Sequence, residues 1–202
     1  MVALMKFLFG VFSGLFYRVE LRGRENIPEK GAAILCANHL SETDMFFIGY
    51  RIKRLVRWMA KEELFRIPLV GFVIKKVGAF PIKRGTADVD SIKTALKLLE
   101  EGHIVGIFPE GSRTRGKAEK KAKVKRGAVT LAMKAEVPII PVAIDSSYKP
   151  FSKVKVIFGE PFELEPYTEK KYTNEEMLEK TRNIMARVYH LLEEDAHGNY
   201  RC

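Results

Sequence analysis

The 202-residue sequence has little of what staples or metallates a small protein. It has two cysteines: Cys36 lies inside an apolar run and Cys202 is the last residue. That argues against a disulfide framework and points to a reducing compartment. Neither cysteine has zinc-ligand spacing, and the four histidines, at 39, 103, 190 and 197, form no metal-binding pattern. The expectation is therefore no resident metal. No apolar stretch reaches the ~20 residues that a spanning helix needs. There is no internal repeat and no linker that would split the chain. The most basic stretch, Arg113 to Arg126, carries eight Lys or Arg and one acid, Glu119, with no aromatic residue among them. Without aromatics to stack bases, and without a recognisable module, it does not read as a nucleic-acid site.

What is present describes a folded domain. An apolar fraction of 47% and a charged fraction of 30% are ordinary for a globular chain with a sizeable core. The formal net charge of +10 implies attraction to something anionic, whether nucleic acid, an anionic membrane or phosphorylated ligands.

Residues 1–17 are nearly all apolar, with Lys6 the only charge, and Arg18, Arg22 and Arg24 follow. The run lacks a small-residue cleavage site before a polar start, so it does not read as a signal peptide. Phe and Leu on most faces suit a helix lying in one leaflet with the arginines near lipid phosphates. The competing reading is a core helix docked on the domain. From Val19 onward, short apolar runs alternate with helical patterns. Ala32–Ala37, Leu55–Ala60, Ala79–Ile82, Ile104–Phe108 and Ile139–Ile144 read as strands. Val89, Ile92, Leu96 and Leu99 mark a helix ended by Gly102, and Thr173 with Glu176 forms a capping box for the last helix. Ile67–Ile74 is unusually apolar for a connection; core packing is its default explanation, and part of an acyl-chain tunnel or a membrane face are the alternatives. The fold expected is α/β, a single domain with a mostly parallel or mixed central sheet flanked by helices, preceded by a short hydrophobic N-terminal helix. The boundaries are 1–17 for that helix, 18–194 for the domain and 195–202 for a loose tail.

His39 follows a buried strand and Asp44 lies five residues on, at the start of a short helix capped by Ser41 or Thr43. The chain between them can fold back. A carboxylate that accepts from one ring N–H fixes the tautomer and leaves the other nitrogen as a general base. Lys83, Arg84, Arg113 and Arg115 are cations at strand exits, where open α/β sheets gather their ligands. Arginine forks match phosphate oxygens at two points. Beside a His–Asp base they describe a site holding a phosphate monoester next to an activated hydroxyl. Glu110 has two readings, a bond to a substrate hydroxyl or a pair with an arginine, and Gly111 permits close backbone approach.

Four stretches in order, Asn38-His39-x-x-x-x-Asp44, Phe80-Pro81-Ile82-Lys83-Arg84-Gly85, Phe108-Pro109-Glu110-Gly111-Ser112-Arg113 and Val137-Pro138-Ile139-Ile140-Pro141-Val142, resemble the ordered blocks of the glycerophospholipid acyltransferases. The likeness is greatest to the 1-acyl-sn-glycerol-3-phosphate acyltransferases and covers roughly residues 15–165. The resemblance implies transfer of a fatty acyl group from acyl-CoA or acyl carrier protein to a glycerol hydroxyl, at the sn-2 position of 1-acyl-glycerol 3-phosphate, in phospholipid biosynthesis. It makes His39 the general base and Asp44 its orienting partner. Lys83, Arg84, Arg113 and Arg115 would bind the acceptor phosphate, with Glu110, Gly111 and Ser112 shaping that site. No cofactor is implied beyond the acyl thioester as co-substrate. The partners implied are a lysophospholipid, an acyl thioester, an anionic membrane surface and acyl carrier protein as a donor, with attachment at the cytoplasmic face, peripheral or monotopic. The competing readings are acylation of glycerol 3-phosphate or another lysophospholipid, and a non-enzymatic protein that binds anionic membranes.

Overall fold

The computed structural model describes residues 2–83, 88–113, 124–167 and 172–197. Helix α1 (Val2–Phe16) leads directly into an edge strand, β1 (Arg18–Arg22). Strand β2 (Ala33–Ala37) is buried at every position and is followed by α2 (Asp44–Gly49) and β3 (Val56–Lys61). A 3-10 turn over Glu62–Arg66 and helix α3 (Pro68–Lys76) connect to β4 (Phe80–Ile82). Helix α4 (Val89–Glu100) leads to β5 (Ile104–Ile107), and α5 (Gly127–Ala135) leads to β6 (Ile139–Ser146). Strand β7 (Lys153–Phe158) and helix α6 (Asn174–Ala196) complete the described chain.

The seven strands form one mixed sheet in the order β1-β7-β6-β2-β5-β3-β4. Neighbours run parallel except β6 and β7, which are antiparallel. This is the α/β sheet that the alternating pattern predicts. Both faces are covered, which is why β2 and β5 are continuous apolar runs rather than alternating ones. On one face Leu35, Phe47, Trp58, Ile74 and Ile140 form the core, with α1, α2 and α3 packed over it. On the other, Ile34, Cys36, Val105 and Ile139 pack against α4, α5 and the start of α6.

Three local features differ from expectation. The Ile67–Ile74 run is not core. Gly71 and Ile74 are buried, but Leu69 is 76% exposed and Ile67 and Phe72 are about half exposed. Pro68 starts α3 at its first turn, so the apolar run winds into a nine-residue helix, which can bury only one side. In α4 the buried line is Ser91, Ala95 and Leu99, and Val89 points to solvent. Asp88 caps the helix by accepting from the Ser91 N–H, and the Ser91 hydroxyl bonds back to the Asp88 carbonyl, so a serine can be buried there. Helix α6 opens on the expected Thr173–Glu176 capping box and continues through Ala196. It thus includes Asp195, assigned to the tail from sequence, whose carboxylate pairs with Arg22 and Lys155.

Helix α1 is docked by one side only. The Lys6 ammonium donates to the Ile52 and Arg54 carbonyls, and burial lowers its pKa. Phe9 packs among Phe46, Phe47 and Tyr50, and Ser13 is fully buried. The other side leaves Leu4, Phe7, Leu8, Val11, Phe12, Leu15 and Phe16 exposed. The loop between β6 and β7 holds the helix end: the Phe151 N–H donates to the Phe16 carbonyl at 2.7 Å and the Arg18 N–H donates to the Ser152 carbonyl. Among the described residues no helix is long and apolar enough to cross a membrane.

Candidate active site

The parallel strands β2, β4 and β5 all end at one edge of the sheet. Immediately past those ends lie His39, Lys83 and the Phe108–Arg113 turn. Asn38 extends β2 with its side chain: its amide donates to the Ile144 carbonyl at 2.9 Å and its oxygen accepts from the Ile144 N–H at 2.7 Å. This side-chain pair ties the end of β2 to β6 and fixes the point at which His39 leaves the sheet.

His39 and Asp44 meet. Nδ1 of His39 lies 2.8 Å from Oδ2 of Asp44, and the aspartate is fully buried. The same oxygen accepts from the backbone N–H groups of Leu40 at 2.7 Å and Ser41 at 2.9 Å. The expected Ser41 or Thr43 side-chain cap on α2 is absent; Thr43 is the N-cap without a side-chain bond to the helix. Asp44 itself closes the turn, because its short carboxylate reaches back to the orphan donors just before the helix. The second oxygen, Oδ1, accepts from the hydroxyl of Tyr148 in the β6–β7 loop. Burial, then the Asp44 charge, push the Tyr148 phenol far above its ordinary pKa, so it remains a donor.

The imidazole lies on an aromatic stack. Phe108 is parallel to His39 at 4.1 Å between ring centroids, and Trp58 stacks against Phe108 at 4.8 Å. Gly106 makes room for Trp58: a Cβ at that position would stand 2.4 Å from the indole. Glu110 supports the same residue from its backbone side. It is buried, Oε2 accepts from the His39 N–H at 3.1 Å, and Oε1 accepts from the Tyr189 hydroxyl of α6. Burial raises the Glu110 pKa above the usual carboxylate range, against the opposing pull of those two hydrogen bonds.

The cations fall at the same edge. Arg113 pairs with Glu42 of the His39–Asp44 turn at 3.0 Å. Lys83 borders a cleft of about 870 Å³ together with Phe108, Gly111, Lys125, Arg126 and Tyr167, among others. Asp88 accepts from the Lys83 backbone N–H and tethers it to the start of α4. Gly111 has φ of +65°, and a Cβ there would press on the Lys125 side chain at 2.8 Å. Ser112 is exposed beside it. Arg84 and Arg115 lie outside the described residues. Among the described residues Glu110 bonds to the His39 N–H and the Tyr189 hydroxyl. Tyr148 and Tyr189 were not anticipated. They come from 104 and 79 residues away from the carboxylates they serve, and no local pattern marks them.

Cys36 is buried in β2, and burial raises its thiol pKa well above the ordinary value, so it does not offer a thiolate. Among the described residues, no three His, Cys, Asp or Glu side chains gather as a metal-ligand group.

Comparison with known proteins agrees with this geometry. The acyltransferase family profile matches residues 18–145. A 1-acyl-sn-glycerol-3-phosphate acyltransferase from Bacillus subtilis is 39% identical over 149 residues, covering 71% of this chain and 73% of that one. The chloroplastic LPAT1 of Arabidopsis thaliana, also named a 1-acyl-sn-glycerol-3-phosphate acyltransferase, is 32% identical over 64% of this chain, but the match takes in only 36% of its own length. The crystal structure of PlsC from Thermotoga maritima, a 1-acyl-sn-glycerophosphate acyltransferase, superimposes with a TM-score of 0.69 at 26% identity, covering 96% of this chain and 78% of that one. The His–Asp turn, the motif order and these matches agree: the chain belongs to the acyltransferase family and is an enzyme of that class.

Proposed function

We propose that this enzyme transfers a fatty acyl group from an acyl thioester to the sn-2 hydroxyl of 1-acyl-glycerol 3-phosphate, giving phosphatidic acid. The observation that carries the reading is the 2.8 Å contact between His39 and a buried Asp44 at the sheet edge that also bears Lys83 and Arg113. The names of the Bacillus and Arabidopsis relatives support the acceptor.

Asp44 fixes the proton of the imidazole on Nδ1, so Nε2 takes the proton from the acceptor hydroxyl as its oxygen attacks the thioester carbonyl. Backbone N–H groups at the strand ends stabilise the oxyanion. The tetrahedral intermediate then collapses, the C–S bond breaks, and the imidazolium returns the proton to the leaving thiolate. No acyl-enzyme, metal or resident cofactor enters this scheme. Arg113 and Lys83 hold the acceptor phosphate, with Arg84 and Arg115 as further cations from the same sequence blocks. Acyl-CoA and acyl carrier protein are both suitable donors, since each presents the same thioester.

The exposed apolar faces of α1 and α3 suit contact with a lipid leaflet, from which a lysophospholipid would be drawn. The +10 net charge favours an anionic surface. We place the enzyme on the cytoplasmic face of such a membrane.

The test crosses His39→Ala and wild type with both donors and with a panel of lysophosphatidate, glycerol 3-phosphate and neutral lysophospholipids. The expected result is phosphatidic acid from wild type, with turnover reduced by about 10²- to 10⁴-fold in the folded variant. Near-wild-type turnover of folded His39→Ala removes the imidazole from the mechanism. Preference for an acceptor without a phosphate monoester overturns the substrate assignment.

A further inference from the structure

We propose that Tyr148 is a positioning residue for acyl transfer, holding the Asp44 carboxylate in the plane that serves His39. This rests on the reading of His39 as the base.

The two oxygens of Asp44 are engaged differently. Oδ2 accepts three donors: His39 Nδ1, the Leu40 N–H and the Ser41 N–H. All three come from the turn that Asp44 closes, so Oδ2 ties the carboxylate to its own loop, and Oδ1 is the oxygen that meets a donor from a distant part of the chain. Oδ1 has the Tyr148 hydroxyl. The carboxylate is fully buried, so no water stands ready to replace that donor. Tyr148 is itself held. Its ring packs near Phe47 of α2, and its N–H donates to the Ser146 hydroxyl at 3.0 Å. Its backbone has φ of +53°, uncommon for a residue with a side chain, and Phe151 three residues later has φ of +64°. A loop strained at two non-glycine positions is maintained only where its surroundings over-determine it. Here it places a phenol against the acid of the dyad.

The electrostatic consequence has a definite sign. A donor on Oδ1 draws negative charge away from Oδ2, and so weakens the hold of the carboxylate on a protonated imidazole. Removing the hydroxyl concentrates charge at Oδ2 and stabilises imidazolium, so His39 stays protonated to higher pH. The other titratable and charged groups around the dyad among the described residues are Tyr17 and Asp145, near Tyr148, Glu110, which faces His39, and the Glu42–Arg113 pair on the His39–Asp44 turn. None is altered by the substitutions below.

Four proteins decide the matter: Tyr148→Phe, Asp44→Asn, the double variant of the two, and wild type carrying 3-fluorotyrosine at position 148. The fluorinated phenol keeps the ring and hydroxyl, so it folds wherever the native residue does, and it is the stronger donor. In Tyr148→Phe, kcat is expected to fall by about 10-fold, the scale of one hydrogen bond to a charged group, with the acceptor KM little changed. The acid limb of the kcat/KM profile is expected to move to higher pH. With 3-fluorotyrosine the limb is expected to move down. In the Asp44→Asn background, Tyr148→Phe is expected to add no further loss. Unshifted acid limbs in both Tyr148→Phe and the fluorinated protein, or full additivity in the double variant, overturn the proposal. His39→Ala run in parallel separates the causes. If it is inactive while Tyr148→Phe behaves as wild type, only the role of Tyr148 fails; if His39→Ala is active, the base assignment fails and this inference with it.

Discussion

The imidazole of His39 lies flat on the ring of Phe108, with 4.1 Å between centroids and 20° between planes. One nitrogen is fixed by Asp44 and one face by an aromatic ring, so the remaining freedom of the imidazole is small. Phe108→Leu keeps most of the volume and removes the parallel face. The expected outcome is a roughly 2- to 10-fold fall in kcat, corresponding to an aromatic pair worth about 0.5–1.5 kcal/mol. Steady-state kinetics on the folded variant checks it; an unchanged kcat means that the stack fills space without orienting the ring.

Trp58 supports Phe108 from behind, and Gly106 supports Trp58 by having no side chain. Gly106→Ala places a methyl 2.4 Å from a fully buried indole. Overpacking of this kind is expected to cost about 1–3 kcal/mol. Chemical denaturation measures that loss, and adding Trp58→Leu in the same chain should recover part of it. A Gly106→Ala protein as stable as wild type would show that the aromatic layer yields easily.

Glu110 carries a pH signature. Burial holds its pKa above the unfolded value, so the stability it contributes is fully present below the unfolded pKa of about 4.5 and declines as pH rises through the folded one. Glu110→Gln does not titrate there. The difference in Tm between wild type and Glu110→Gln should therefore move in favour of the glutamine as pH rises from about 4 to about 7. Thermal melts across that range test it, and a difference that is flat with pH contradicts it. The glutamine oxygen still accepts from the His39 N–H, and Tyr189 can turn its hydroxyl to accept from the amide, so the fold tolerates the exchange.

Arg113 is engaged by Glu42 at 3.0 Å, and both side chains reach solvent. Such a pair stabilises the fold by well under ~1 kcal/mol, so Glu42→Gln should leave Tm nearly unchanged. It should lower the acceptor KM modestly, because a carboxylate no longer competes with the acceptor phosphate for the guanidinium. Arg113→Ala should raise that KM. Acceptor saturation curves for both variants read the outcome, and equal KM values in all three proteins exclude Arg113 from phosphate binding.

Sequence made the local parts of the site legible. His39 and Asp44 are five residues apart, a spacing that one turn can close. The strand runs before His39, Lys83 and Phe108 placed those residues at one sheet edge, because parallel strands share a direction. The capping box at Thr173 needs four consecutive residues and nothing else. What escaped was carried by distant chain. Tyr148 reaches Asp44 only because β7 runs antiparallel to β6 and turns the intervening loop over α2; Tyr189 reaches Glu110 only because α6 crosses back over the sheet. The depth of Glu110 in the fold, and its bond to the His39 N–H, have no local signal in the letters. For the apolar Ile67–Ile74 run the letters left core, tunnel and membrane face open: hydrophobicity is plain there, but the side that a short helix turns inward is decided by its neighbours.

The loop between β6 and β7 bonds to the end of α1 through Phe151 and Ser152 and to Asp44, the partner of His39, through Tyr148. A greasy foot and the proposed proton relay thus hang from one short strap. Solubilising conditions become a kinetic variable: an amphiphile that pulls the foot out of place will also slacken the relay. Catalytic loss on extraction would then arise from a displaced tether rather than from unfolding.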